Sequence, residues 1–154
     1  MSIAGIDIGT TGCKIAVYDH DGARFHAYRE YPAARSRSEH EVDPRAIWQA
    51  IRDLIREELV REQWRENSEV TGAITLVYDH HHRGLVSRLL DIQHDYHHTI
   101  FSSQHIHLDH DNCLEIIITK GKAQIIEALY GKLKSAKGVK HAGFAMATTG
   151  DISA

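Results

Sequence analysis

Cysteine is scarce in this 154-residue chain, which has only Cys13 and Cys113, one in each half. Two thiols so far apart make no disulfide scaffold, and in a reducing compartment each reads as a free thiol or a metal ligand. Long apolar runs are missing too. No stretch approaches the roughly 20 residues of a membrane span, and the N-terminus has neither the basic nor the apolar region of a signal peptide. The expected location is the cytoplasm, with no membrane partner. There is no short-period internal repeat and no low-complexity segment. Positive charge is also short at the front: residues 1–69 carry 10 Lys and Arg against 13 Asp and Glu, and residues 70–154 carry 8 against 8. An acidic front half is a poor electrostatic footprint for DNA.

Histidine is the residue in excess. There are 13, and nine of them fall between His80 and His110, which turns the reading toward a metal. The hydrophobic content of 42% suits a soluble fold with a real core, as one ordinary domain or two small ones.

Periodicity divides the chain. Ile3 to Ile8 and Lys14 to Tyr18 alternate around the turn Gly9-Thr10-Thr11-Gly12, and Asp21-Gly22 marks a second turn before Ala23 to Glu30. Three antiparallel strands are expected there. Pro32 to Glu41 has no period and reads as an exposed connection. Asp43-Pro44 starts a helix, the carboxylate capping and the proline preset for the first helical position. Ile47, Ile51, Leu54, Ile55 and Leu59 then keep helical spacing, so one amphipathic helix is expected to about Asn67. Beyond it the pattern predicts strand Thr71 to Tyr78, helix Gly84 to His97, strand Ile100 to Leu108, strand Cys113 to Thr119, helix Lys122 to Lys137 and strand Val139 to Ala147. That βαββαβ order predicts an α+β, ferredoxin-like fold of the kind also used by ACT-type regulatory domains. The expected divisions are a β-rich segment 1–43, a connecting helix 44–67 and a regulatory domain 70–150.

His105 and His107 are two apart on a strand, so they leave the same face, and Cys113 opens the next strand across a short turn. Hairpin geometry brings two imidazoles and one thiol close enough to be a partial coordination sphere. The competing reading is a polar stripe beside a small buried cysteine. His94 and His98, four apart on one helix face, offer a fourth nitrogen. His80, His81 and His82 read as a solvated turn and are not taken as primary ligands.

Three stretches are specific: V-Y-D-H-H-H-R-G-L-V-S-R-L-L-D-I-Q-H-D-Y-H-H, H-I-H-L-D-H-D-N-C-L-E and K-G-V-K-H-A-G. Through residues 70–150 they resemble the regulatory domain of NikR nickel-responsive repressors. The resemblance implies Ni(2+) held by His94, His105, His107 and Cys113, in a square-planar site shared between chains of a homotetramer. It also places Tyr78, Gln93 and Glu115 where they would orient the ligand imidazoles. It implies a transcriptional repressor that binds DNA, although residues 1–69 lack the strand of polar and basic residues suited to base contacts. The histidine pair is expected to project from the sheet face opposite the helices, so that a partner chain supplies His94.

The front is different. G-I-D-I-G-T-T-G-C-K-I-A-V-Y-D and the later E-V-D-P-R-A-I-W-Q resemble the opening of FGGY-type carbohydrate kinases. That likeness implies a phosphate loop of Asp7, Gly9, Thr10 and Thr11, in which N–H groups and hydroxyls face a phosphate and Asp7 holds magnesium. The rest of a kinase is missing, so phosphoryl transfer has little basis and enzyme activity is not the expectation. The leading expectation is a nickel-binding regulator with its DNA-binding module replaced. The alternative is an ATP- or phosphate-binding kinase fragment joined to a metal-binding oligomerisation domain.

Overall fold

The computed structural model describes residues 3–35 and 40–150, and the chain divides into two compact units, one ending at Leu59 and one starting at Val60. In the first unit β1 (Ile3–Ile8), β2 (Gly12–Asp19) and β3 (Gly22–Glu30) form an antiparallel meander in the order β1-β2-β3. Pairs such as Ile6 with Ile15 and Asp7 with Lys14 set its register. The Pro32 to Glu41 stretch departs from the expected plain connection. β4 (Ala33–Arg35) and β5 (His40–Val42) pair there as a small two-stranded sheet, too short for alternation to reveal, while Ser36 to Glu39 lie outside the described residues.

Helix α1 (Pro44–Arg65) starts as its sequence dictates: Asp43 Oδ1 accepts the Arg45 N–H at 2.8 Å and the Asp43 carbonyl accepts from Ala46 at 2.9 Å. These bonds satisfy N–H groups that a helix start otherwise leaves unpaired. Its apolar stripe buries Ala50, Ile51 and Leu54 against Cys13, Ile15 and Tyr31 of the meander. Each large side chain fully buried this way contributes about 1.5–3 kcal/mol. Arg29 adds an ion pair with Glu57.

The second unit holds the last turns of α1 and a four-stranded sheet. Its elements run β6 (Glu69–Asp79), α2 (Leu85–Asp95), β7 (Ile100–His107), β8 (Asn112–Lys122), α3 (Ala123–Lys134) and β9 (Val139–Ala147). The strand order is β7-β8-β6-β9 with every neighbouring pair antiparallel. The protein is therefore an α+β fold. Ile74, Leu76, Tyr78, Cys113 and Ile117 project from one sheet face and pack with Leu85 and Leu89 of α2 and Leu129 and Leu133 of α3. A second cluster seats Trp64 with Val70, Ala123 and Ile126, and the Trp64 indole donates to the Ala147 carbonyl at 3.0 Å. Asn67 joins these parts. Its φ of 54° ends the helical run, and its side-chain oxygen accepts the Gln124 N–H at 3.0 Å at the start of α3. No helix among the described residues is long and apolar enough to cross a membrane.

Candidate metal centre

The sheet register assembles the centre. His107 lies opposite Cys113 and His105 opposite Glu115 across β7 and β8, while Tyr78 lies opposite Cys113 across β6 and β8. Residues facing each other across antiparallel strands share a sheet face. Tyr78, His105, His107, Cys113 and Glu115 therefore all stand on the side that carries the helices. This corrects the expectation that the histidine pair projects from the opposite face: two-residue spacing shows that the pair shares a face but not which one.

The Cys113 sulfur is fully buried and lies 3.3 Å from His107 Nδ1 and 3.3 Å from His80 Nδ1. Among the described residues, donor atoms of His80, His107 and Cys113 come within 4.8 Å of one another. With metal–nitrogen bonds near ~2.05 Å and a metal–sulfur bond near ~2.3 Å, donors of one ion stand ~3.1–3.5 Å apart for angles between square and tetrahedral. Both nitrogen–sulfur distances fall in that range. His80, set aside in the sequence as part of a solvated turn, thus comes beside the sulfur. It directly follows β6, whose Tyr78 is the cross-strand partner of Cys113. Sequence shows three consecutive histidines there, and only the register selects the first.

His105 lies outside the group of His80, His107 and Cys113 and is held differently. Its ring centroid is 5.0 Å from that of His107, and its Nδ1 lies 3.3 Å from the Tyr78 hydroxyl. Tyr78 donates to Glu115 Oε2 at 3.1 Å, and Glu115 Oε1 accepts from Gln93 Nε2 of α2 at 2.8 Å. The buried carboxylate is thereby satisfied on both oxygens, and the three residues expected to orient the ligands form one chain leading to His105. His94 is exposed on α2, stacked on His97 with centroids 5.8 Å apart, and is not in the Cys113 group.

Burial above all, then the negative charges of Asp109, Asp79 and Glu115, raises the Cys113 thiol above its ordinary value of 9.0. Without a cation the sulfur keeps its proton. The Tyr78 phenol is pushed up as well, by burial first and then by the Glu115 charge and hydrogen bond.

The family model for the NikR C terminal nickel binding domain matches residues 71–147. A protein of Syntrophus aciditrophicus named "Putative nickel-responsive regulator" is 53% identical over 105 residues, covering 68% of this chain and 77% of that protein. This chain belongs to the NikR family. One of the same name from Chlorobium phaeobacteroides is 57% identical over 93 residues, 60% of this chain and 69% of its own. A match of 105 residues in a chain of 154 begins no later than residue 50 and ends no earlier than residue 105, so the likeness to that relative takes in most of α1.

The expected phosphate loop of Asp7, Gly9, Thr10 and Thr11 is a tight hairpin turn. The Gly9 N–H donates to the Gly12 carbonyl at 2.9 Å, the Gly9 carbonyl accepts from the Tyr31 hydroxyl, and Thr11 Oγ1 lies 3.4 Å from the Tyr28 hydroxyl. Asp7 lies opposite Lys14 in the strand register. The Gly9 N–H and the Thr11 hydroxyl are thus engaged locally, and the NikR matches lend the kinase reading no support.

Proposed function

We propose that this chain is a nickel-responsive regulator whose residues 70–150 form a ferredoxin-like, ACT-type domain that binds Ni(2+) and assembles as a homotetramer. The carrying observation is the Cys113 sulfur flanked at 3.3 Å by imidazole nitrogen, in a chain of this family. His105, His107 and Cys113 supply two imidazoles and a thiolate from one chain. His94, exposed on α2, is the nitrogen that a neighbouring subunit brings. In the single chain His80 Nδ1 also lies 3.3 Å from the sulfur, beside His107, and keeps the place that the incoming donor takes over.

A nitrogen-rich set with one thiolate suits planar Ni(II) or Cu(II) better than tetrahedral zinc, and between those two ions the intrinsic order favours copper. Selectivity for nickel then rests on planar geometry and on cellular supply. Assembly is supported by the other sheet face, where Leu114, Ile116, Ile118 and Val77 remain only half-buried in the single chain. Residues 1–43, 44–67 and 70–150 make up a β-rich segment, a connecting helix and the sensing domain. The regulator works in the cytoplasm. Operator recognition in the manner of the family is weak, because residues 1–69 carry a net negative charge and build a meander and one helix.

A nickel titration tests the reading. The full chain should develop a thiolate-to-nickel charge-transfer band that saturates at one ion per chain and is absent in Cys113→Ser. An unchanged band in that variant would refute the donor set.

A further inference from the structure

A second donor cluster lies beside the first. His81 and His110 and the carboxylate of Asp111 bring ligand atoms within 4.8 Å of one another on the exposed surface, where they play no part in the Cys113 centre. Their rings and carboxylate converge from two segments. His81 follows β6, and His110 and Asp111 form the tip between β7 and β8.

Both segments are fixed by their own hydrogen bonds. Asp79 Oδ1 accepts the His81 N–H at 2.8 Å. Asp109 Oδ1 accepts from the backbone N–H groups of Asp111 at 2.8 Å and Asn112 at 2.7 Å. The two are tied together by the His80 N–H, which donates to the Asp111 carbonyl at 3.2 Å. The side chains that converge are therefore held on an ordered scaffold, with their charged and nitrogen ends toward solvent. His81 Nε2 lies 3.2 Å from the His110 carbonyl oxygen and 4.0 Å from the Asp111 carboxylate. The His81 and His110 ring centroids are 5.4 Å apart.

We propose that His81, His110 and Asp111 form a second metal site, which takes a divalent cation of the zinc and nickel class and leaves its remaining positions to water. Two imidazoles and one carboxylate are a donor set of intermediate softness that such ions accept, whereas calcium and magnesium call for an all-oxygen shell. The site lacks a thiolate, and the His81 and Asp111 side chains are 55% and 61% exposed, so ordering them on a cation costs conformational freedom. It is the weaker of the two sites. The rings of His80 and His81 are 4.0 Å apart, which puts it next to the Cys113 centre. The proposal does not depend on that centre being filled.

Zinc titration of the full-length chain, read by native mass spectrometry and calorimetry, tests it in a Cys113→Ser background where the thiolate donor is gone. That variant should still bind one zinc per chain. His110→Ala and, separately, Asp111→Asn placed on top of it should each weaken that binding at least tenfold. Calcium should not compete. In the wild type, His110→Ala should remove the second, weaker ion while leaving the nickel–thiolate band in place. Loss of that band in the wild type with zinc retained in Cys113→Ser would strike at the nickel reading and leave this site standing. Undiminished zinc binding in both added variants, or no zinc bound by Cys113→Ser, overturns it.

Discussion

Tyr78 and Glu115 meet inside the core of the sensing domain, the Tyr78 hydroxyl donating to the carboxylate at 3.1 Å while its oxygen also lies 3.3 Å from His105 Nδ1. One phenol thus ties a buried negative charge to a proposed nickel ligand. Tyr78→Phe removes the donor but keeps the ring, so Glu115 is left with Gln93 alone. Stranding part of a buried charged group costs about 1–3 kcal/mol, which urea unfolding should show at neutral pH. Loss of the group that orients His105 should also weaken nickel binding by about 10–100-fold. Unchanged nickel affinity in a folded Tyr78→Phe variant would mean that His105 is not positioned through this contact.

The same phenol makes stability depend on alkaline pH. Its folded pKa lies above the ordinary 10.0, so its contribution is fully present below about 10 and is lost as pH rises toward the folded value. Cys113 works in the same direction from its ordinary 9.0. Urea unfolding of the metal-free chain should show stability declining above about pH 9–10, and the decline should be shallower in Tyr78→Phe and in Cys113→Ala. A flat profile in the parent chain would contradict the raised pKa values.

Nickel binding should release protons. A thiol whose pKa is raised by burial and by neighbouring carboxylates holds its proton at neutral pH, and the proton must leave when the sulfur becomes a ligand. Affinity therefore rises with pH and falls in acid, where imidazoles also become protonated. Calorimetry in buffers of different ionisation enthalpy should count at least one proton per nickel, and about one fewer in Cys113→Ser. Nickel affinity that stayed level from neutral pH down to about 5 would exclude histidine and thiolate ligation.

Much of this was legible in the residues themselves. The βαββαβ order followed from changes of period, and Asp43-Pro44 marked the start of α1 because the cap needs that carboxylate in that place. His107 and Cys113 could be paired because a short turn joins their strands. What could not be read depends on non-local register. The nearness of His80 to the sulfur follows from Tyr78 facing Cys113 across β6 and β8, strands separated in sequence by a helix and a third strand. The side of the sheet from which His105 and His107 project is likewise set by which face α2 and α3 cover. The pairing of β4 with β5 left no trace because three residues are too few to show a period.

DNA binding provides a separate test. Residues 1–69 carry 10 basic against 13 acidic residues and fold as strands followed by one long helix. Any association with duplex DNA should be weak, strongly salt-dependent and indifferent to sequence, since phosphate contacts alone dominate such binding. Gel-shift and footprinting experiments with and without nickel should show no protected site. A nickel-dependent footprint on one palindromic operator would overturn this and restore a complete repressor.

The last prediction concerns the origin of the fourth donor. His94 is exposed on α2 and stacked on His97, outside the group of donors around Cys113. Face orientation does not force it to come from another chain, because His105 and His107 share the sheet side that α2 covers. The reason is its position. Gln93, the residue before it, points inward to Glu115 at 2.8 Å, and adjacent residues on a helix point about 100° apart. The inward course of Gln93 thus directs His94 outward, toward whatever surface lies against α2. In a symmetric assembly that surface belongs to a partner, and each interface then builds two equivalent sites. Nickel should stabilise the assembly along with the fold, since a ligand that binds only the assembled state draws the equilibrium toward it. Homo-oligomers of His94→Ala and of Cys113→Ala should each bind nickel poorly. Co-refolded mixtures should recover intact sites, because some interfaces pair a wild-type His94 with a wild-type Cys113 from the other variant. Mixtures that bind no better than either variant, while both still assemble, would place all four donors in one chain.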